Sequence, residues 1–270
     1  MTARIIYLGF TRLLVLIILI CPAQAAGQTA VSDTIRALTY NILHGATMDG
    51  DYNLMEIAQV IKQANPDLVS LQEVDRGTRR TGGLDLAAEL GHLTGLRPLF
   101  GKAVDMDGGD YGVAILSRFE ILETSNHPLP SSPNREQRTL LIAAVRLPSA
   151  ARILFAATHF DHSSPPSDRP GQAAFAVKLL EKTTTPVILA GDLNDVAGST
   201  PMNLFGPGWL DAAARDPEPT FPARTPERRI DYVLAYPAGN WRLVSCRVID
   251  NDTASDHCAV LAVLVHFSSQ

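Results

Sequence analysis

Six apolar runs in this 270-residue chain end on residues that can hold a cation or move a proton. Leu38-Thr39-Tyr40 stops at Asn41, and Leu68 to Leu71 leads into Gln72-Glu73. Phe155 to Thr158 stops at His159, with Asp161 two residues on. Val187 to Ala190 runs through Gly191 to Asp192, and Asn194 follows at the next position of the same parity. Ile230 precedes Asp231, and Ser255-Asp256-His257 opens the last apolar run. Carboxylates are seldom buried unless paired or bound to metal. Acids at the ends of apolar strands therefore predict one polar pocket where those ends meet. Its donors are mainly oxygens, and no Cys-x-x-Cys spacing occurs, which suits Mg²⁺ or Mn²⁺ better than Zn²⁺. Acids and histidines around a hard cation fit hydrolysis of a phosphate ester. The cation offsets charge on a non-bridging oxygen, an Asp aligns or deprotonates water, and a His⁺ stabilises the phosphorane-like state.

The elements that must position these residues alternate short strands with a few helices. Strands are expected at Ile35–Leu43, Leu68–Leu71, Val113–Leu116, Val187–Ala190, Ile230–Ala235, Trp241–Ile249 and Ala259–Phe267. Leu140–Leu147 and Arg152–Thr158 read as an antiparallel pair across Pro148-Ser149. Asn53 with Glu56 makes a capping-box pattern for a helix running to about Gln63. A second helix, Leu84–Leu93, is closed by Gly95, and a third is expected to be capped by Asp168, with Pro170 in its first turn, and to continue to Glu181. Pro- and Gly-rich stretches at 128–134, 163–170 and 206–227 read as loops. No repeat or linker divides the pattern, so residues 26–270 read as one α/β domain.

Arg4 and Arg12 precede an apolar run, Leu13–Ile20, too short to span a bilayer comfortably, and Ala23-Gln24-Ala25 supplies a small-x-small cleavage pattern. Residues 1–25 are therefore expected to be a signal peptide and the mature protein to be periplasmic or extracellular, with no stable membrane span. Removing them lowers Lys+Arg from 23 to 21 against 28 Asp+Glu, a formal charge of −7. That acidity, without a basic stripe, disfavours extended nucleic acid as a partner. A monomer is expected.

The runs TYNILHG (39–45), LQEVD (71–75), GVAILSR (112–118), THFDH (158–162), GDLND (191–195), RIDYVL (229–234) and SDHCAV (255–260) resemble, in order, the signature of the endonuclease/exonuclease/phosphatase superfamily. That superfamily includes AP endonucleases, pancreatic-type deoxyribonuclease, bacterial sphingomyelinases and inositol polyphosphate 5-phosphatases. The resemblance implies a four-layer α/β sandwich, two mixed β-sheets packed face to face with flanking helices. It implies a Mg²⁺-dependent (or Mn²⁺-dependent) phosphoric ester hydrolase with Glu73, Asn41 and Asp256 around the metal. By the same resemblance Asp192 handles the attacking water and Asn194 the scissile phosphate. His257 contacts phosphate with Asp231 behind it. His159 matches a histidine of pancreatic-type nucleases and sphingomyelinases, where AP endonucleases place a tyrosine.

The substrate is expected to be a phospholipid headgroup or small phosphodiester, with a secreted nuclease as the alternative and a non-catalytic binding protein as a third reading. Weaker substrate-binding candidates are His44, Arg80 and Arg169, against the alternative that each is a solvated or structural loop residue, and Arg138, at a strand start where the resemblance implies an arginine that touches phosphate. Asp161 and His162 are candidates for the pocket edge. Cys246 and Cys258, on successive strands, are expected either to bridge or to stay as two thiols.

Overall fold

The computed structural model describes residues 32–267, so the expected signal segment lies outside the described residues. In chain order the elements are β1 (Ser32–Asn41), α1 (Leu54–Ala64), β2 (Leu68–Arg76), α2 (Leu86–Thr94), β3 (Arg97–Met106), β4 (Gly109–Ser117), β5 (Glu120–Pro128), β6 (Thr139–Arg146), β7 (Arg152–His159), α3 (Arg169–Leu180), β8 (Val187–Asp192), α4 (Thr200–Asn203), β9 (Leu210–Asp211), β10 (Asp231–Tyr236), β11 (Trp241–Ile249) and β12 (Ala259–Phe267).

Side-chain alternation along the central strands sorts apolar residues into three cores. Leu38, Tyr40, Val69 and Leu71 face α1 and α2, packing on Ile57, Ile61, Leu86 and Leu90. Ile35, Ala37, Leu68 and Ile115 face the other way and meet Phe155, Ile188 and Val233. Ala156, Leu189 and Tyr232 pack under Ala173, Ala176 and Leu180 of α3. Three cores between four layers give the expected sandwich: two mixed six-stranded sheets, ordered β11-β12-β1-β2-β4-β3 and β5-β6-β7-β8-β10-β9, with helices outside.

Each sheet has one parallel pair at its centre, β1–β2 and β7–β8, joined by α1 and α3 respectively. Parallel pairs require such crossovers. The expected antiparallel β6–β7 pair forms, from Leu140 opposite Thr158 to Arg146 opposite Arg152. The close approach of β8 to β7 requires Gly191, because a Cβ there would lie 2.2 Å from the Thr158 carbonyl oxygen. No helix among the described residues is long and apolar enough to cross a membrane.

Three expectations need correction, and the open alternative for the cysteines is decided. β3 and β5 were not anticipated as strands; they lie at sheet edges and expose much of their length, so they carry no apolar alternation. Asn53 caps α1 by accepting from Met55 N, but its own amide, not its backbone N–H, donates to Glu56. Asp168 precedes α3 without capping it, since its carboxylate accepts from the backbone N–H and hydroxyl of Ser132. The cysteines do not bridge. In the β11–β12 register Cys246 lies opposite Ala262, four residues along from Cys258, and both thiols are free.

Candidate active site

Along the inward face of each central strand, residues change from apolar to polar toward the same end. β1 runs Ile35, Ala37, Thr39, Asn41 inward, while β7 runs Phe155, Ala157, His159 and β8 runs Ile188, Ala190, Asp192. β10, antiparallel to β8, begins at that end with Asp231 opposite Asp192. The inter-sheet core is thus closed at this end by side chains that can do chemistry. Below them a fully buried polar ladder ties the sheets together. Thr39 Oγ1 donates to Gln72 Oε1 (3.2 Å), Gln72 Nε2 to Ser70 Oγ (2.7 Å), and Ser70 Oγ to the Ala190 carbonyl of the opposite sheet (2.8 Å).

Strict alternation along β2 would send Glu73 outward with Val69 and Leu71. A β-bulge between Gln72 and Val74 prevents this, with Glu73 in the left-handed region at φ 59°. Bulges beside functional sites re-aim side chains, and this one turns Glu73 toward the cleft. A left-handed non-glycine residue costs about 1–2 kcal/mol. His44 (φ 45°) and Asn194 (φ 53°) share that conformation.

Asp192 is the hub. Its Oδ2 lies 3.2 Å from Asn41 Nδ2, 3.3 Å from His159 Nε2 and 3.6 Å from His257 Nε2, while Oδ1 accepts from the backbone N–H of Asn194 at 2.9 Å. Burial would raise its pKa, yet His257, His159 and the Asn194 N–H hold the carboxyl well below the usual range. Asp231 Oδ2 accepts from His257 Nδ1 (3.0 Å) and from Thr220 Oγ1 (2.6 Å). Burial alone would lower the pKa of His257, but Asp231 and Asp192 push it up to about 10. The ring is therefore an imidazolium at neutral pH. Arg229, a rival partner for Asp231, instead forms a two-pronged pair with Asp211 (2.9 and 2.7 Å).

Asn41 places its amide nitrogen between two carboxylates, 3.3 Å from Glu73 Oε1 and 3.2 Å from Asp192 Oδ2, while its oxygen accepts from Leu43 N. Glu73 would be raised by burial; its contacts with His44 and with the Asn41 amide hold it low, at about 2. Asp256 is raised by burial, and by the charges of Glu73 and Asp192, against the pull of His257. Ligand atoms of Asp192, Asp231 and His257 also lie within 4.8 Å of one another, a spacing that suits a metal ion.

A cleft of about 580 Å³ opens over these groups. Asn41, Glu73, His159, Asp192, Asn194, Asp256 and His257 all line it, with Arg138 and Arg169 on its wall. Asp231 supports His257 from behind. His44 stands behind Glu73, its Nδ1 3.7 Å from Oε2, an electrostatic contact too long for a hydrogen bond. Arg80 is not on the wall: its guanidinium grips the buried Asp75 through Nε (2.6 Å) and Nη2 (2.7 Å). Of the two edge candidates, His162 lines the cleft, whereas Asp161 is buried and accepts from Ser163. Sequence reasoning missed Tyr111, Glu136 and Phe221 on the wall. Nothing in the local sequence separates these three from the chain's other aromatics and loop charges.

This fold and this cluster define a class, the phosphoesterases built on a twin-sheet sandwich. A model of the Endonuclease/Exonuclease/phosphatase family matches residues 38–257, and the chain belongs to that family. It is similar to a solved endonuclease/exonuclease/phosphatase from Beutenbergia cavernae, at 25% identity and TM-score 0.76, over 87% of this chain and 72% of that one. It shares its fold with a family protein from Bacteroides thetaiotaomicron (18% identity, TM-score 0.73, 90% of this chain and 100% of that one). A mannosyl-6-phosphatase from Bacteroides thetaiotaomicron also has this fold (18% identity, TM-score 0.70, 85% of this chain and 99% of that one).

Proposed function

We propose that this phosphoesterase is a divalent-metal-dependent phosphodiesterase, exported by residues 1–25, that hydrolyses a phospholipid headgroup or another small phosphodiester. The observation that carries the reading is the buried Asp192 carboxylate, met by Asn41, His159 and His257 at the floor of an open cleft.

Asp192, held anionic, orients a water for in-line attack and accepts its proton as the new P–O bond forms and the ester P–O bond opposite it breaks, the leaving oxygen taking a proton from solvent. His257, charged and fixed by Asp231, donates from Nε2 to a non-bridging phosphate oxygen and stabilises charge that grows in the transition state. Asn194 spends one amide hydrogen on the Phe160 carbonyl (3.0 Å) and offers the other to the phosphate. His159 donates to the phosphate from the opposite side of Asp192.

Glu73, Asn41 and Asp256 would hold the cation, Mg²⁺ or Mn²⁺. The fit rests on charge and donor type. Burial raises the Asp256 pKa, with the charges of Glu73 and Asp192 adding to it, and an oxygen-rich set of this kind suits a hard ion. The Asp192–Asp231–His257 group suits it less, because its polar atoms already have protein partners: Asp231 Oδ2 accepts from His257 Nδ1 and Thr220 Oγ1, and Asp192 Oδ2 is met by Asn41 and His159. When bound, the cation would neutralise charge on the phosphate and leaving oxygens.

The size of the cleft and the formal charge, −7 once residues 1–25 are removed, support a small substrate over duplex nucleic acid. One observation favours a nuclease as second reading. Phe221 lines the cleft 4.6 Å from the His257 ring with the Arg228 guanidinium over its own ring at 5.1 Å, an aromatic–arginine pair that could contact a base and its phosphate.

The test is a substrate panel with and without EDTA: bis(p-nitrophenyl) phosphate, sphingomyelin, inositol phosphates, mannose 6-phosphate, RNA and plasmid DNA. Metal-dependent diester hydrolysis, lost in His257→Ala, is expected. Rapid plasmid nicking lost in the same variant would replace this reading with the nuclease. Turnover of monoesters alone would remove the diester assignment.

A further inference from the structure

Arg138 precedes β6 and is 3% exposed. Its Nη1 lies 2.8 Å from His159 Nδ1, and its Nη2 lies 3.0 Å from His162 Nδ1 and 3.1 Å from Glu136 Oε1. Two hydrogen bonds to its own carbonyl, from Leu129 N and Gln137 Nε2, fix the backbone that carries it. A guanidinium has hydrogens to give and no lone pair to receive. Both imidazoles must therefore accept at Nδ1, and a neutral ring that accepts there carries its proton on Nε2. The ring orientation of His159 is determined at both ends. Nδ1 faces the guanidinium and Nε2 faces Asp192 Oδ2 at 3.3 Å, so a flipped ring would set carbon against each.

The two histidines that approach Asp192 are thus wired in opposite senses. Nδ1 of His257 donates to a carboxylate, while Nδ1 of His159 accepts from an arginine. We infer that Arg138 is a positioning residue: it locks His159 in the Nε2–H tautomer, so that the ring presents a hydrogen and not a lone pair to the phosphate. Glu136 balances the arginine charge, and His162 holds its second arm. Without Arg138 the other tautomer becomes accessible, and its bare Nε2 would face the Asp192 carboxylate and repel a phosphate oxygen. This deepens the proposed function and rests on its reading of His159 as a phosphate contact.

Two-bond ¹⁵N–¹H correlation spectra of ¹⁵N-histidine-labelled protein distinguish the neutral tautomers, with the His159 signals assigned by their loss in His159→Gln. At pH 7.5 the wild type is expected to show the Nε2–H pattern at His159. Arg138→Met is expected to give a mixed pattern and to lower kcat by about 10²-fold with KM little changed. Arg138→Lys keeps one donor near Nδ1 and is expected to retain the wild-type pattern. An Nδ1–H or doubly protonated His159 in the wild type would overturn the inference, and so would an Arg138→Met protein with wild-type pattern and kcat. Should Arg138→Met fail to fold, the wild-type spectrum decides. The tautomer readout needs no turnover, so an inactive wild type would fail the proposed function separately.

Discussion

Asn41, at the end of β1, and Asp192, at the end of β8, belong to different sheets, yet the Asn41 amide donates to Asp192 Oδ2 over 3.2 Å. The same amide reaches Glu73. The pair marks the seam where the metal-binding half of the proposed site meets the half that handles water and phosphate.

Asp192→Asn keeps the shape of that seam and removes the charge. An amide cannot take a proton from water, so kcat should fall by about 10²–10⁴-fold with little change in KM. The check is steady-state hydrolysis of bis(p-nitrophenyl) phosphate, with circular dichroism to show a retained fold.

Arg80 serves stability and not substrate. It is the arginine that grips Asp75, a carboxylate with no exposed surface. Breaking a buried pair from one side costs about 3–5 kcal/mol, so Arg80→Ala should lose about 3 kcal/mol in urea unfolding. Its KM should stay at the wild-type value, and a raised KM at unchanged stability would return Arg80 to the substrate.

How much of this was legible in the sequence depends on the physical range of each signal. Asn41, His159, Asp192 and Asp231 could be placed together because each follows or begins an apolar run at the parity that points inward. Gly95, which closes α2, is a local signal that the structure bears out at φ 73°. Glu73 was identified from its motif, but period-two counting sends it to the wrong face, and only the bulge corrects it. The edge strands β3 and β5 carried no pattern because consecutive residues, and so both faces, meet solvent along much of each. The role of Arg138 depends on contacts with residues 21 and 24 positions away, which no local spacing encodes.

Stability of the metal-free protein should depend on pH in two windows. His257 has a folded pKa of about 10 against an ordinary 6.5. Its contribution is fully present below pH 6.5 and is lost as pH rises through about 10. Glu73 is lowered to about 2 from 4.5, so its contribution is present above pH 4.5 and is lost as pH falls toward about 2. Urea midpoints in EDTA should therefore decline from pH 7 to 10 more steeply in the wild type than in His257→Gln. Parallel curves would place the proton elsewhere.

The β11–β12 register separates Cys246 from Cys258, so unfolded, unreduced protein lacking residues 1–25 should titrate two thiols. Removing reductant should not change its unfolding midpoint. A protein with no reactive thiol would contradict the register.

Where the cation binds is tested most directly by titrating Mn²⁺ into wild type, Glu73→Gln and Asp231→Asn and following the loss of the free-ion paramagnetic resonance signal. Glu73→Gln should weaken binding at least about tenfold, the size of effect that loss of a ligand partner brings, while Asp231→Asn stays near the wild-type Kd. The reverse pattern, with Mn²⁺ lost in Asp231→Asn and held in Glu73→Gln, would put the ion on the Asp192–Asp231–His257 group and contradict the account.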